Sequence, residues 1–147
     1  MLLRFAALSL LCFLTSGCCQ LFSKEDKQPN RPSVTSSWSE RTDFGVRSIG
    51  FFVMNKGESI DNGQLGVKVI DVLPKECKCM SCEPTYPRVR IAFYRPSDNK
   101  VLCEDDFFQG SSSFDIRPKC DPTMGISVIS INAINTKEKW ASFDLRK

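Results

Sequence analysis

Apolar and polar residues alternate in short segments along the chain after Trp38, with turn-forming residues between the segments. The clearest case is 88–94, where Val89, Ile91 and Phe93 fall on one face of an extended strand. The other face of this segment is largely polar, so the pattern predicts a strand with one buried and one solvated side. Seven segments are predicted strands on this basis: 45–54, 65–73, 88–94, 101–104, 112–116, 126–134 and 139–145.

Turn-forming residues between these segments fit an antiparallel arrangement. Asn62-Gly63 accepts positive backbone φ angles at low cost and predicts a hairpin that joins strand 45–54 to strand 65–73. Segment 96–99 contains proline, serine, aspartate and asparagine and predicts a second reversal of the chain. No segment has a convincing helical period. The pattern therefore predicts an all-β fold, an antiparallel β-sandwich of about seven strands, with immunoglobulin-like, C2-like and transthyretin-like topologies all open.

The first residues have the pattern of a secretory signal peptide. A short basic start at 1–4 precedes an almost wholly apolar run at 5–14, and small residues follow. The apolar run is about ten residues long, whereas a membrane-spanning helix needs about twenty, so no transmembrane helix is expected. Residues 1–19 are predicted to be the signal peptide, and the mature protein is expected to be secreted and extracellular. Gly17-Cys18 leaves open a variant anchored by a lipid on Cys18.

A polar segment separates the signal peptide from the predicted strands. It is rich in serine, threonine and proline and carries few apolar groups to bury, so it cannot form a core alone. We predict a flexible polar linker at 20–40, followed by a disulfide-stabilised β-sandwich domain at 41–147. A chain of 147 residues has room for only one ordinary domain once these segments are set aside.

The sequence contains no histidine. Histidine is the usual general base near neutral pH and a common metal ligand, so Ser-His-Asp, Cys-His and histidine-ligated metal sites are excluded. No glycine-rich phosphate loop or other catalytic signature is present, and no cofactor is predicted. The protein is therefore expected not to be an enzyme. Catalysis by paired carboxylates or by a Ser-Lys pair is the alternative that stays open.

Charges are balanced along the chain, which has 20 lysines and arginines, 17 aspartates and glutamates, and a net charge of +3. Basic and acidic residues interleave, for example at 24–27 and 137–139. A nucleic-acid-binding surface needs clustered lysine and arginine to neutralise phosphates. We therefore expect no nucleic-acid partner.

The densest chemical feature is a cysteine cluster at 77–82, with two more cysteines downstream. The domain cysteines are Cys77, Cys79, Cys82, Cys103 and Cys120. An oxidising exterior favours structural disulfides. A zinc site is an alternative that would use Cys79, Cys82, Cys103 and Cys120, but the downstream cysteines form no second paired motif. A redox-active Cys79-x-x-Cys82 motif is another alternative. Such a motif needs a thiol of low pKa at the N-terminus of a helix, and no helix is predicted after Cys82.

Five domain cysteines cannot all pair with one another. Cys77 and Cys79 are separated by one residue, which directs their side chains to different partners. We therefore predict two disulfides within the domain, in which Cys103 and Cys120 each pair with a member of the 77–82 cluster. The remaining cysteine is expected to be free or paired elsewhere.

Glu104, Asp105 and Asp106 form an acidic segment at the end of a predicted strand. Calcium takes about six to eight oxygen ligands, so this segment would bind calcium only if carboxylates from other loops converged on it. A hydrated acidic turn is the simpler interpretation. Together with Phe107 and Phe108, the segment forms the basis of an alternative function, a calcium-dependent lipid or surface binder.

These features together predict a secreted, non-enzymatic binding or structural module that acts in the extracellular space, with a protein or cell-surface partner. The alternatives are the calcium-dependent binder and an enzyme without histidine chemistry. Trp140 faces away from the apolar side of strand 139–145. It is predicted to be either an exposed aromatic suited to an interface or the sign of a second buried face.

Overall fold

The computed structural model describes residues 27–43, 46–75, 86–109 and 113–147. These residues form nine β-strands and a single 3₁₀ turn at Pro122–Met124. The strands are β1 (Ser37–Asp43), β2 (Val46–Asn55), β3 (Ser59–Asp61), β4 (Gly66–Leu73), β5 (Arg88–Arg95), β6 (Lys100–Phe108), β7 (Phe114–Asp115), β8 (Val128–Asn135) and β9 (Trp140–Arg146). None of the helical structure in these ranges is long and apolar enough to cross a bilayer.

The strands are arranged in two antiparallel sheets. A five-stranded sheet has the order β1-β2-β9-β8-β7, and a four-stranded sheet has the order β3-β4-β5-β6. Every paired strand runs antiparallel to its neighbour. The prediction of an all-β antiparallel sandwich is confirmed. The two strands that the sequence pattern missed, β1 and β3, are both at the edge of a sheet.

The core lies between the two sheets and follows the alternation of apolar residues. Val67, Ile91 and Phe93 of the four-stranded sheet are fully buried, as are Phe52 and Phe143 of the five-stranded sheet. The rings of Phe52 and Phe143 stack with their centroids 5.3 Å apart. Because apolar side chains from both sheets belong to one continuous cluster, hydrophobic burial stabilises the pairing of the sheets.

The Asn62-Gly63 turn forms a hairpin, but it joins β3 to β4 rather than the two strands predicted. Gly63 has a φ of +85°, which glycine adopts without a steric penalty. The Asn62 Oδ1 accepts hydrogen bonds from the backbone N–H of Gln64 and Leu65, at 3.0 and 2.9 Å. The prediction that strand 45–54 (β2) pairs with strand 65–73 (β4) was wrong, because the short strand β3 lies between them in sequence and pairs with β4.

The predicted linker at 20–40 includes residues that are part of the fold. Strand β1 begins at Ser37, and residues 28–36 form an ordered segment, here called the N-terminal strap, that hydrogen-bonds to the five-stranded sheet. Asn135 on β8 donates from Nδ2 to the Pro29 carbonyl at 3.0 Å. Gln28 accepts from the Thr136 N–H at 2.9 Å. The prediction of a flexible linker is therefore corrected for residues 28–40. Hydrogen bonds hold the strap on the sheet, so it needs no apolar residues of its own.

The N-terminal strap contacts β2 and the end of β8. Ser36 Oγ both donates to the Val53 carbonyl and accepts from the Val53 N–H, at 2.9 and 2.8 Å. Arg31 donates to the Asn55 side chain at 3.2 Å. Trp140, on β9 between the strands that the strap contacts, is only 1% exposed and donates from Nε1 to Glu138 at 2.9 Å. Trp140 is therefore not an exposed aromatic. It marks a second buried face of β9, which is the other interpretation that the sequence allowed.

Candidate functional site

Cys103 and Cys120 form a disulfide with each other, with their Cα atoms 4.8 Å apart. The prediction that each pairs with the 77–82 cluster was wrong. The loop that carries Cys120 lies against β6, where the Asp121 N–H donates to the Leu102 carbonyl at 3.4 Å, and this contact brings the two sulfurs together.

The disulfide also removes two of the four thiolates that the zinc alternative required. Because a disulfide sulfur is not a thiolate ligand, Cys103 and Cys120 cannot complete a zinc site with the cluster. Cys77, Cys79 and Cys82 lie outside the described residues. Their pairing stays a prediction.

The acidic segment lies inside strand β6 and not in a loop. Neighbouring side chains of a strand point to opposite faces, which separates Asp105 from Glu104 and Asp106. Asp106 accepts from Arg90 at 2.7 and 3.2 Å, and Asp105 accepts from Lys119 at 2.6 Å. Within the described ranges, no group of three or more cysteines, aspartates and glutamates is placed to hold a metal ion. Two of the three carboxylates of the calcium alternative, Asp105 and Asp106, are thus engaged by basic side chains.

The two phenylalanines that follow the acidic segment have different environments. Phe107 is 1% exposed and belongs to the core, whereas Phe108 is 37% exposed on the opposite face of β6. Phe114 packs against both rings, with centroid separations of 5.5 and 6.5 Å. Only Phe108 is therefore available at the surface.

The outer face of the four-stranded sheet is the surface on which exposed aromatic and apolar groups collect. Cross-strand pairing places Gly66 of β4, Tyr94 of β5 and Val101 of β6 in one row. The Tyr94 ring lies flat over Gly66, where an added Cβ would be 2.2 Å from a ring carbon. The glycine thus creates the space that fixes the orientation of the tyrosine ring. Val101, next in the row, is 54% exposed.

Two further rows on this outer face alternate in charge. Lys68 and Glu104 flank Ala92, which is buried between them. Asp71 and Asp106 are likewise the neighbours of Arg90 on either side. The hydrogen bond from Arg90 to Asp106 raises the pKa of the guanidinium, with charge attraction to Asp106 as the next cause. The strands of this face carry the cations Lys68, Arg88 and Arg90 and the anions Asp61, Asp71, Glu104 and Asp106. Lys56, in the turn before β3, contacts Asp71 at 2.8 Å and is the fourth cation.

A shallow depression of about 370 Å³ lies on the same face. Tyr94, Ala92 and Ile70 contribute to its lining, together with Val101. Among the large hydrophobic residues described as exposed, three lie on or beside this sheet: Tyr86 at 67%, Val101 at 54% and Phe108 at 37%. The fourth, Val34, is on the N-terminal strap. The outer face therefore concentrates the exposed apolar surface.

A second concave site lies at one end of the sandwich, between the two sheets, and is called here the inter-sheet cleft. Its volume is about 560 Å³. Its apolar lining comes from both sheets and from the 3₁₀ turn, and its rim is polar. The rim carries Glu40, Asn62, Gln64, Arg95 and Lys147.

No family model, curated protein or solved structure matches this chain. The geometry of the two sites is therefore the basis for inferring a function. The strand pattern already placed Arg88, Arg90, Ala92 and Tyr94 on one solvated face, so part of the outer face was visible in the sequence. The inter-sheet cleft had no such signal, because it is formed by turns and strand ends that are distant in sequence.

Proposed function

We propose that the protein is an exported, non-enzymatic binding module that recognises a protein partner through the outer face of its four-stranded sheet. The observation that carries this proposal is the concentration of exposed Val101, Phe108 and the oriented Tyr94 ring on one charge-balanced sheet face. Protein interfaces are enriched in aromatic residues and arginine. This face supplies both types, with Arg88 and Arg90 beside the aromatic groups.

The charge balance of the outer face favours a protein over a nucleic acid or an anionic membrane. Phosphate-rich partners are held by an excess of lysine and arginine. Here four anions are matched by four cations when Lys56, which contacts Asp71 at 2.8 Å, is counted, and charges of opposite sign are neighbours across β4, β5 and β6. Alternating charges instead favour a partner with a matching pattern of donors and acceptors, because charge complementarity selects the partner and fixes the orientation of binding.

The fold leaves the outer face of the four-stranded sheet more accessible than that of the five-stranded sheet. Val53, Trp140 and Ser142 of the five-stranded sheet are buried, and the N-terminal strap hydrogen-bonds to Val53 and Asn135. On the four-stranded sheet, Val101 and Glu104 are exposed, and Tyr94 is partly exposed. A partner can therefore contact these exposed side chains directly.

Export and the absence of catalysis are supported by the sequence. The apolar run at 5–14 has the pattern of a signal peptide, and the Cys103–Cys120 disulfide is compatible with an oxidising compartment. The lack of histidine removes the commonest catalytic arrangements. The role proposed is accordingly recognition, performed outside the cytosol.

The test uses a photo-crosslinking amino acid in place of Val101 in the full-length protein, produced by cells that export it. The same amino acid at Val34, which is 57% exposed on the strap, is the matched control. Mass spectrometry of the covalent adducts should identify a protein captured at position 101 and not at position 34. Identical sets of adducts at both positions would contradict the proposal.

Affinity measurements with the captured protein complete the test. Val101→Glu and Tyr94→Ala should each weaken binding about tenfold or more, because each removes an apolar contact from the row that Gly66, Tyr94 and Val101 form on this face. Val34→Glu should leave the affinity unchanged. If Val101→Glu also leaves it unchanged in a folded protein, the outer face is not the recognition surface.

A further inference from the structure

The inter-sheet cleft has an apolar floor made by residues of the core margin. Ile49, Leu65 and Met124 are between 7% and 8% exposed and line its base. Leu102 and Trp38 extend this apolar wall toward the rim. A volume of about 560 Å³ is within the range of pockets that hold small organic molecules, which are mostly apolar with a few fixed polar groups.

The polar groups of the rim are mainly donors. Asn62 uses Oδ1 for the turn, so its Nδ2 is left for another partner, and the Gln64 side chain has no partner among the described residues. Among the described residues, the Arg95 guanidinium donates from Nη1 alone, to Asp98 at 3.1 Å. The Lys147 ammonium contacts only Glu40 in the same part of the chain, at 3.5 Å. A ligand that offers acceptors would therefore satisfy groups that now lack a strong partner.

The charges of the rim favour an anion. The side chains that line the cleft include two cations, Arg95 and Lys147, and one anion, Glu40. Glu40 accepts from Arg47 at 2.6 Å, and Arg95 is paired with Asp98 at 3.1 Å, so both charges are balanced by residues outside the cleft lining and the Lys147 ammonium is the excess charge. Lys147, held by Glu40 only at 3.5 Å, and the free donors of Arg95 are then available to a ligand.

We propose that the inter-sheet cleft binds a small organic anion with an apolar body. The apolar part occupies the floor formed by Ile49, Leu65 and Met124, and the anionic group contacts Arg95 and Lys147 at the rim. Asn62 and Gln64 donate to the remaining acceptors. This site is separate from the outer face of the four-stranded sheet, so the proposal stands independently of the protein partner.

The experiment is an NMR titration of the ¹⁵N-labelled mature protein with its disulfide intact. The probe is 8-anilinonaphthalene-1-sulfonate, and the matched probe is N-phenyl-1-naphthylamine, which has the same rings without the sulfonate. The chain has two tryptophans, and only Trp38 lines the cleft, whereas Trp140 is 1% exposed and donates to Glu138. The sulfonate probe should cause saturable chemical-shift changes in the indole signal of Trp38 and in the side-chain amide signals of Asn62 and Gln64. The indole signal of Trp140 should not shift.

The charge requirement is tested with both probes and with matched variants. The uncharged probe should bind about tenfold more weakly than the sulfonate probe. Arg95→Gln and Lys147→Gln should each lower the affinity for the sulfonate probe several-fold. Lys68→Gln, a cation lost from the outer face, is the control and should have no effect. Equal affinity for both probes, no saturable shift at Trp38, or shifts centred on Tyr94 and Val101 would each overturn the proposal, provided that the variants retain well-dispersed spectra.

Discussion

Glu58 connects three parts of the molecule through one carboxylate. Its Oε2 accepts from the Asn55 N–H at 2.7 Å, and its Oε1 accepts from the Asn55 Nδ2 at 2.5 Å. Arg31 of the N-terminal strap lies 3.9 Å from Oε2. The backbone hydrogen bond from Asn55 is the main cause that lowers the pKa of Glu58, with smaller contributions from the Asn55 side chain and Arg31. Desolvation opposes these effects and is smaller than their sum.

We predict that Glu58 makes the fold sensitive to acid. Since its folded-state pKa is below the ordinary 4.5, the charged carboxylate stabilises the fold above that pH and loses the contribution as the pH falls through the folded-state value. Glu58→Gln should reduce the free energy of unfolding at pH 7 by less than about 1 kcal/mol, because the group is half-exposed. Between pH 7 and pH 3, the free energy of unfolding of Glu58→Gln should fall by less than that of the wild type.

Urea unfolding of the wild type and of Glu58→Gln at both pH values measures this effect. Glu104→Gln is the control, because Glu104 is exposed on β6 and makes no hydrogen bond to a described residue. A loss of stability that is as steep with pH in Glu58→Gln as in the wild type would show that this carboxylate does not contribute.

At the scale of elements, the sequence pattern predicted the strands that have a strongly apolar inner face. Segments 65–73, 88–94 and 139–145 correspond to β4, β5 and β9 within one residue at each end. Strand β1 was missed because Trp38 is its only large apolar residue, and β3 because it has three residues. An edge strand has one neighbour and needs less apolar surface, so alternation is a weak signal there.

The N-terminal strap was missed for a related reason. Its attachment depends on hydrogen bonds from Arg31 and Ser36 and on the carbonyl of Pro29, and none of these leaves a periodic trace in sequence. A polar composition predicts low hydrophobic burial, but it does not exclude an ordered segment when the sheet supplies buried donors such as Asn135.

We predict that the strap protects Trp140 from solvent. A chain that begins at Ser36 lacks the contacts of Gln28, Pro29 and Arg31, so the Trp140 ring should become accessible. In a Trp38→Phe background, acrylamide should quench the remaining tryptophan at least about twice as strongly, because the ring loses the groups that cover it. The matched control begins at Lys27 and keeps the strap. Equal quenching of both chains would mean that other residues cover Trp140.

At the scale of the whole molecule, fold class was predictable and the pairing of distant parts was not. Alternation in each strand gives the side that is buried, and a set of such strands without helices leaves few architectures. The partners of β2 and the place of the inter-sheet cleft depend on contacts between residues far apart in the chain. The spacing of the cysteines likewise excluded few disulfide connectivities, because several pairs of cysteines could come together when the chain folds.

The Cys103–Cys120 disulfide determines how the segment after β7 is held against the four-stranded sheet. Its sequence separation is 17 residues, and both cysteines are buried at the margin of the core. In the chain-entropy model, a loop of this length contributes about 3 kcal/mol by restricting the unfolded chain. That contribution is large beside the roughly 5 to 15 kcal/mol that stabilises an ordinary domain.

We therefore predict that Cys103→Ala/Cys120→Ala lowers the free energy of unfolding by about 3 kcal/mol, measured by urea denaturation without a reducing agent. Alanine is preferred to serine because both positions are buried and a hydroxyl would need a partner there. Adding a reducing agent should destabilise the wild type by more than the double variant, since only the wild type contains this disulfide. Peptide mapping of the unreduced wild type should join Cys103 to Cys120. A peptide that joins either of them to Cys77, Cys79 or Cys82 would contradict the pairing and restore the connectivity that the cysteine spacing predicted.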